Sequence, residues 1–89
     1  MVDIAELVTE RTRQHGDFRD HARVSQALKR AVHREPAWQT LTDMHREAID
    51  MILHKVGRIV AGDPNHRDHW DDIGGYAKIT ADRLEKSNG

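Results

Sequence analysis

Lys55 and Arg58 stand on one side of a short break in the chain, and Asp68 and Asp72 on the other. The first run reads Glu47-Ala-Ile-Asp50-Met-Ile-Leu-His54-Lys55-Val-Gly-Arg58, and the second Asp68-His-Trp70-Asp71-Asp72-Ile-Gly74-Gly75-Tyr76. On a helical wheel at about 100° per residue, Glu47, Asp50, His54 and Arg58 share one flank of the first run. Lys55 falls inside its apolar stripe, between Met51 and Ile59, where an unpaired ammonium is costly to bury. That lysine needs solvent, a carboxylate or a ligand. Asp68 and Asp72, four apart, share a face of the second run that is not the Trp70/Ile73 face. Two carboxylates so placed repel one another unless a cation compensates. Their hard oxygens suit Mg²⁺, which takes one or two carboxylates plus substrate phosphates. Tyr76 follows Asp72 by four, so its hydroxyl can reach a carboxylate or a substrate. The plainer alternative makes Lys55 the partner of Asp68 or Asp72 in an ion pair between helices, with Asp68 complementing a helix dipole.

The elements that must position these residues are helices. Gly16, Pro36 and the Gly62-Asp63-Pro64-Asn65 run punctuate the chain into four segments. The first runs from Asp3 to about Gln14, with Asp3 as its cap, Glu6 completing a capping box and Ile4, Leu7 and Val8 as a narrow apolar stripe. His15-Gly16 ends it, with Gly16 as a left-handed cap. The second runs from about Asp17 to Arg34, with Val24, Leu28, Ala31 and Val32 on one face and His21 at the edge of the core. Pro36 stops it. The third, Leu41 to Ala61, carries a continuous stripe of Leu41, Met44, Ala48, Ile52, Val56 and Ile59, capped by Thr40 or Thr42, with Trp38 packing on its first turns. The fourth, about His66 to Lys86, is capped by Asn65 and lined by Trp70, Ile73, Ala77, Ala81 and Leu84. Gly74-Gly75 in its middle costs roughly 1 kcal/mol per glycine relative to alanine. Close approach of another helix, or failing that of a ligand, is the expected compensation. No segment alternates with period two. The expected architecture is all-α: a compact bundle of about four helices, the last two antiparallel across their short loop.

Composition narrows the function classes. Eighty-nine residues make one domain, here 1–89. Only 37% of them are apolar and 33% are charged, which is little for a self-sufficient core. A second copy completing that core, a homodimer, is therefore expected. A net charge of −1 lacks the positive excess of a nucleic-acid binder, and Arg19, Arg23, Lys29 and Arg30 read as a solvated helix face. Without cysteine there is neither a disulfide framework nor a thiolate zinc site. His66 and His69 lack a third ligand at metal-site spacing. No apolar run is long enough to span a bilayer and the first residues do not resemble a signal peptide, so the expected location is the cytoplasm.

The two runs, together with Glu10-Arg11 and His15-Gly16-Asp17-Phe18 upstream, resemble a family of small phage and prophage proteins of unknown function. That family in turn resembles the MazG-like all-α nucleoside triphosphate pyrophosphohydrolases. The resemblance implies a helical, oligomeric protein in the cytoplasm of a phage host, binding Mg²⁺ through acidic pairs on adjacent helices. It implies Glu47 and Asp50 as the first pair, Asp68 and Asp72 as the second, and Lys55 and Arg58 as phosphate ligands. The chain departs from the enzymes in a first motif reduced to Glu47-x-x-Asp50 and a second spaced i,i+4, unless Asp68 and Asp71 form it.

Two functions follow as expectations. The first is Mg²⁺-dependent nucleotide binding or pyrophosphohydrolysis. Glu47 and Asp72 would be catalytic; Glu47, Asp50, Asp68 and Asp72 would be the metal set; Lys55, Arg58 and Tyr76 would hold the substrate. The second is a non-catalytic helical module that binds another protein. The discriminating feature is whether Lys55, Asp68 and Asp72 frame a cavity or close on one another.

Overall fold

The structure, a computed structural model, describes residues 3–88 and, among these, the side chains of all but 13–15 and 85–88. Four helices follow in order: α1 (Ile4–His15), α2 (Phe18–His33), α3 (Asp43–Ala61) and α4 (Arg67–Asn88), with a 3₁₀ turn at Pro36–Thr40. There is no strand among the described residues.

Local chemistry sets the helix ends. Asp3 caps α1, accepting from the Ala5 N–H at 3.3 Å, and Asp17 caps α2, accepting from the Arg19 N–H at 2.8 Å. So α2 begins one residue later than its apolar pattern implies. Pro36 starts the 3₁₀ turn, whose last bond runs from the Leu41 N–H to the Trp38 carbonyl at 3.2 Å. Leu41 therefore belongs to the turn, and α3 opens with Thr42 as its cap. Thr42 Oγ1 accepts from the His45 N–H at 3.3 Å, while the Thr42 N–H donates to His45 Nδ1 at 3.2 Å. A histidine fills the place glutamate usually takes in this reciprocal box. Asn65, expected to cap α4, instead lies in a turn closed by Asp63, whose Oδ1 accepts from the Asn65 N–H at 2.8 Å.

α3 is the central element: it packs against both α2 and α4, which make little contact with each other. Both pairings are antiparallel. His21 meets His54 and Gly57 near the end of α3, whereas His33 meets Asp50. On the other side Lys55 meets Asp72, while His45 and Ala48 border the same groove as Ala81 and Leu84. Gly57 permits the close crossing of α2, because a Cβ there would lie 3.1 Å from Ser25 Cβ and 3.2 Å from His21 Nδ1. Arg46 ties the 3₁₀ turn to α3, donating from Nε to the Trp38 carbonyl at 3.2 Å and from a terminal nitrogen to that of Gln39 at 2.9 Å. Trp38 stacks on His33 with ring centroids 4.3 Å apart.

Three expectations change. The face of α4 that packs is centred on His69, which is 1% exposed, and continues through Ile73, Tyr76 and Thr80. Trp70 lies beside that face, 55% exposed, and turns back to donate from Nε1 to the Pro64 carbonyl at 2.8 Å. Its indole N–H is satisfied by the loop, which draws the ring off the helix interface. Gly74 and Gly75 meet no other element: a Cβ on either has nothing within 4 Å. The α1 stripe is open, with Ile4 76% and Val8 57% exposed. Trp38 is the one large apolar side chain buried among the described residues; the other buried side chains are His21, Ser25 and His69.

Candidate functional site

The residues singled out in sequence divide around α3 into two regions. In a helix, Asp50, His54 and Arg58 share a flank, and that flank faces α2; Lys55, about 100° round from His54, faces α4. Lys55 and Arg58, three residues apart, are neighbours on α3, but Lys55 turns to Asp72 of α4 while Arg58 lines a cleft with α1 and α2.

On the α4 side, Lys55 Nζ lies 3.0 Å from Asp72 Oδ2. Lys55 is largely covered and Asp72 about half exposed. The lysine's hydrogen bond, and then its charge, hold the Asp72 carboxyl below its ordinary pKa. Asp68 is exposed, with Oδ2 3.7 Å from His66 Nε2. Asp71 pairs with Arg67 within α4 at 3.2 Å. Tyr76 is half-buried, and its carbonyl accepts from the Thr80 hydroxyl at 2.9 Å. The cation and carboxylate at this junction close on each other.

On the α2 side, Asp50 Oδ1 takes the His33 ring at 2.6 Å, and Glu47 is exposed. The four carboxylates expected to share Mg²⁺ are therefore spread over both sides of α3. Among the described residues, no group of three or more histidine or acidic side chains is gathered closely enough to hold a metal ion. The donor set as folded does not fit a protein-built Mg²⁺ centre.

Arg58 occupies a different setting. It lines a cleft of about 480 Å³ where α1, the start of α2 and the end of α3 converge, with Val8, Arg11, Thr12, Gly16, Phe18 and His21 around it. Its Nε is buried without a hydrogen-bond partner among the described residues, as is His21 Nδ1. Burial, and then the positive charge of Arg11, lower the Arg58 pKa from its usual value. His21 is also pushed down, first by burial and next by Arg58. His54, 4.6 Å from His21 in an edge-on ring contact, falls to about 4, from burial first and then the charges of His21 and Arg58. These two imidazoles are neutral at pH 7, while two guanidiniums face the cleft and no carboxylate is among the described residues that line it. Gly16 forms its floor. Its φ is +80°, and a Cβ there would come 2.0 Å from the Ala61 carbonyl oxygen, so only glycine lets the α1–α2 corner sit on the end of α3. Phe18 stands at the rim, 76% exposed.

Of the expected substrate ligands, Arg58 lines this cleft; Lys55 and Tyr76 do not. The sequence signals for the cleft were slight. Arg11 stands out only as part of a family resemblance, Gly16 as a helix stop and His21 as a residue at the edge of the core. Gly57 within α3 was the missed sign: an interior glycine marks close approach of α2, and that crossing builds the cleft wall.

A family model described as a domain of unknown function (DUF6378) matches residues 1–84. No curated protein matches the chain, and no solved structure does. Among the described residues, no helix is long and apolar enough to cross a membrane.

Proposed function

The chain belongs to the DUF6378 family, a family of unknown function, and we propose for it the binding of a phosphorylated small molecule, a nucleotide, in the cleft between α1, α2 and α3. The observation that carries this reading is the pair Arg11 and Arg58 facing one cleft, with no carboxylate lining it and no partner for the buried Arg58 Nε among the described residues. Two like charges held together are unfavourable until an anion joins them. Guanidinium groups bind phosphate with strong, charge-assisted hydrogen bonds. Phe18 at the rim offers an apolar ring for a base, and Thr12 a hydroxyl. The resemblance to MazG-like pyrophosphohydrolases, together with the phage-type pattern, favours a nucleotide over other phosphates. The described lining supplies cations and an aromatic ring and no carboxylate, which favours binding over hydrolysis.

The test is thermal unfolding and calorimetric titration with ATP, pyrophosphate and inorganic phosphate, on the native chain and on Arg58→Met. A ligand present at 100 times its Kd stabilises by about 2.7 kcal/mol. The native chain should show such a rise with ATP, and Arg58→Met should not. Phe18→Ala should weaken ATP while sparing pyrophosphate. A native chain indifferent to all three anions would sink the proposal.

The second reading, a non-catalytic interaction module, is favoured by the closed Lys55–Asp72 pair and by the exposed Ile4 and Val8 of α1. It would gain if the anions fail and Ile4→Asp then abolishes binding of a defined protein partner without lowering Tm.

A further inference from the structure

We infer that a second copy of this chain covers the open face formed by α2, the 3₁₀ turn, α3 and α4, making the working unit a homodimer. Two grooves lie on this face. One, of about 330 Å³, is bordered by Val32, Trp38, Leu41 and Ile49; the other, of about 260 Å³, by Ile49, Ile52, Ala81 and Leu84. Ile49 belongs to both, so they form one continuous surface, almost entirely apolar. It exists because α3 has helices on two sides and α2 and α4 scarcely touch, which leaves a layer with nothing stacked upon it. A helical layer must bury its apolar side against another layer.

The exposed area fits a second copy in size. The chain exposes 6638 Å². A compact monomer of its mass exposes about 5,300 Å², an excess here of about 1,300 Å². Its radius of gyration is 15.5 Å, against about 12 Å for a closed domain of this length. Obligate dimers bury roughly 1,000–2,500 Å² on each partner, and their interfaces resemble a domain core cut in half. The excess falls within that range, and part of it lies on α1, where Ile4, Leu7 and Val8 are exposed. Trp38, the one buried large apolar side chain among the described residues, borders this face, so the core reaches the surface there. In a two-fold pairing the same patch meets itself. Few ionic groups stand in the way: among the described lining residues only Glu35 is acidic, and none is a lysine or arginine. A net charge of −1 adds little repulsion between copies.

The experiment is sedimentation equilibrium and light scattering on the full chain, with Tm followed over protein concentration. The expected result is a particle of twice 10.2 kDa with a Tm that rises with concentration. Ile49→Asp should weaken the dimer by at least about thirty-fold, the scale of a central interface residue. Leu7→Asp on α1 should leave it intact. If Ile49→Asp does not fold, the native chain's concentration dependence and amide-exchange protection of α3 on dilution still decide. A monomer at all concentrations, with constant Tm, overturns the inference and leaves the face to a different partner. A dimer broken by Leu7→Asp and not by Ile49→Asp overturns the choice of face. Neither outcome touches the anion cleft, whose test uses Arg58→Met.

Discussion

The two sides of α3 hold the same kinds of residue and treat them oppositely. Towards α4, Lys55 and Asp72 satisfy each other at 3.0 Å. Towards α1 and α2, Arg58 faces Arg11, and among the described residues no carboxylate lines the cleft and its Nε has no partner. A satisfied pair gives up its capacity to bind, whereas an unsatisfied one retains it. Charge alone therefore does not mark a site; charge left uncompensated by the fold does.

The largest effect that can break this contrast is expected at Gly16. Gly16→Ala forces a side chain into the Ala61 carbonyl and a strained φ of +80°. Strain of that backbone kind costs about 1–3 kcal/mol before the clash is counted. In a chain of this size each kcal/mol moves Tm by about 4–8 °C. Thermal unfolding should show a fall of roughly 10 °C or more, with loss of anion binding as the cleft floor lifts. A silent substitution would show that the α1–α2 corner does not rest on α3.

Arg58→Met separates binding from stability. Removing a partly buried cation beside another cation should raise the Tm of the ligand-free protein by a few degrees while abolishing the rise with ATP. Differential scanning fluorimetry with and without ATP reads both. Lys55→Met, made on the other side of α3, should leave the ATP effect unchanged. If Lys55→Met also removes it, the clasp and the cleft are one site, and the comparison fails.

Acid tests the cleft wall next. His54 has a folded pKa of about 4, below the ordinary 6.5, and His21 is shifted the same way. The unfolded chain therefore binds these protons first. The contribution is complete above about pH 6.5 and is lost progressively as pH falls towards 4. With discount for solvent screening, His54 accounts for roughly 1–2 kcal/mol. Urea unfolding between pH 7 and 4 should show this decline, and His54→Gln should flatten it.

How far the sequence reached follows from the range of each interaction. Helices and most of their stops were legible because they depend on neighbours within four residues, as the caps Asp3 and Thr42 illustrate, whereas Asp17 was read as the first helical residue and Asn65 as a cap it does not form. The ion pair of Lys55 was legible too, since a lysine within an apolar stripe needs a partner and a short loop brings α4 back. The cleft was not, because it depends on Arg11 meeting Arg58 from a distant helix, and no local pattern encodes that meeting. Trp70 misled because its size marked it as core, while its N–H had a loop carbonyl within reach.

Gly74 and Gly75 offer a gentler measurement. With nothing near either position, alanine should stabilise α4 by up to about 1 kcal/mol at each, through helix propensity. The same changes would be harmful if another helix or a ligand needed the space, so a drop in Tm would identify a contact on that side of α4.

The smallest effect belongs to the clasp itself. A double-mutant cycle of Lys55→Met and Asp72→Asn should give a coupling weaker than any effect above, because half of the carboxylate surface is in water. About 0.5 M salt should weaken it further through screening. The depressed Asp72 pKa fixes the sign in acid: the pair's contribution is present above the ordinary carboxylate pKa and lost as pH falls below it. A coupling large enough to survive high salt would mean that Lys55 and Asp72 sit in a drier setting than this chain alone provides. A second chain lying on α4 would create that setting, so the measurement also bears on where a partner binds.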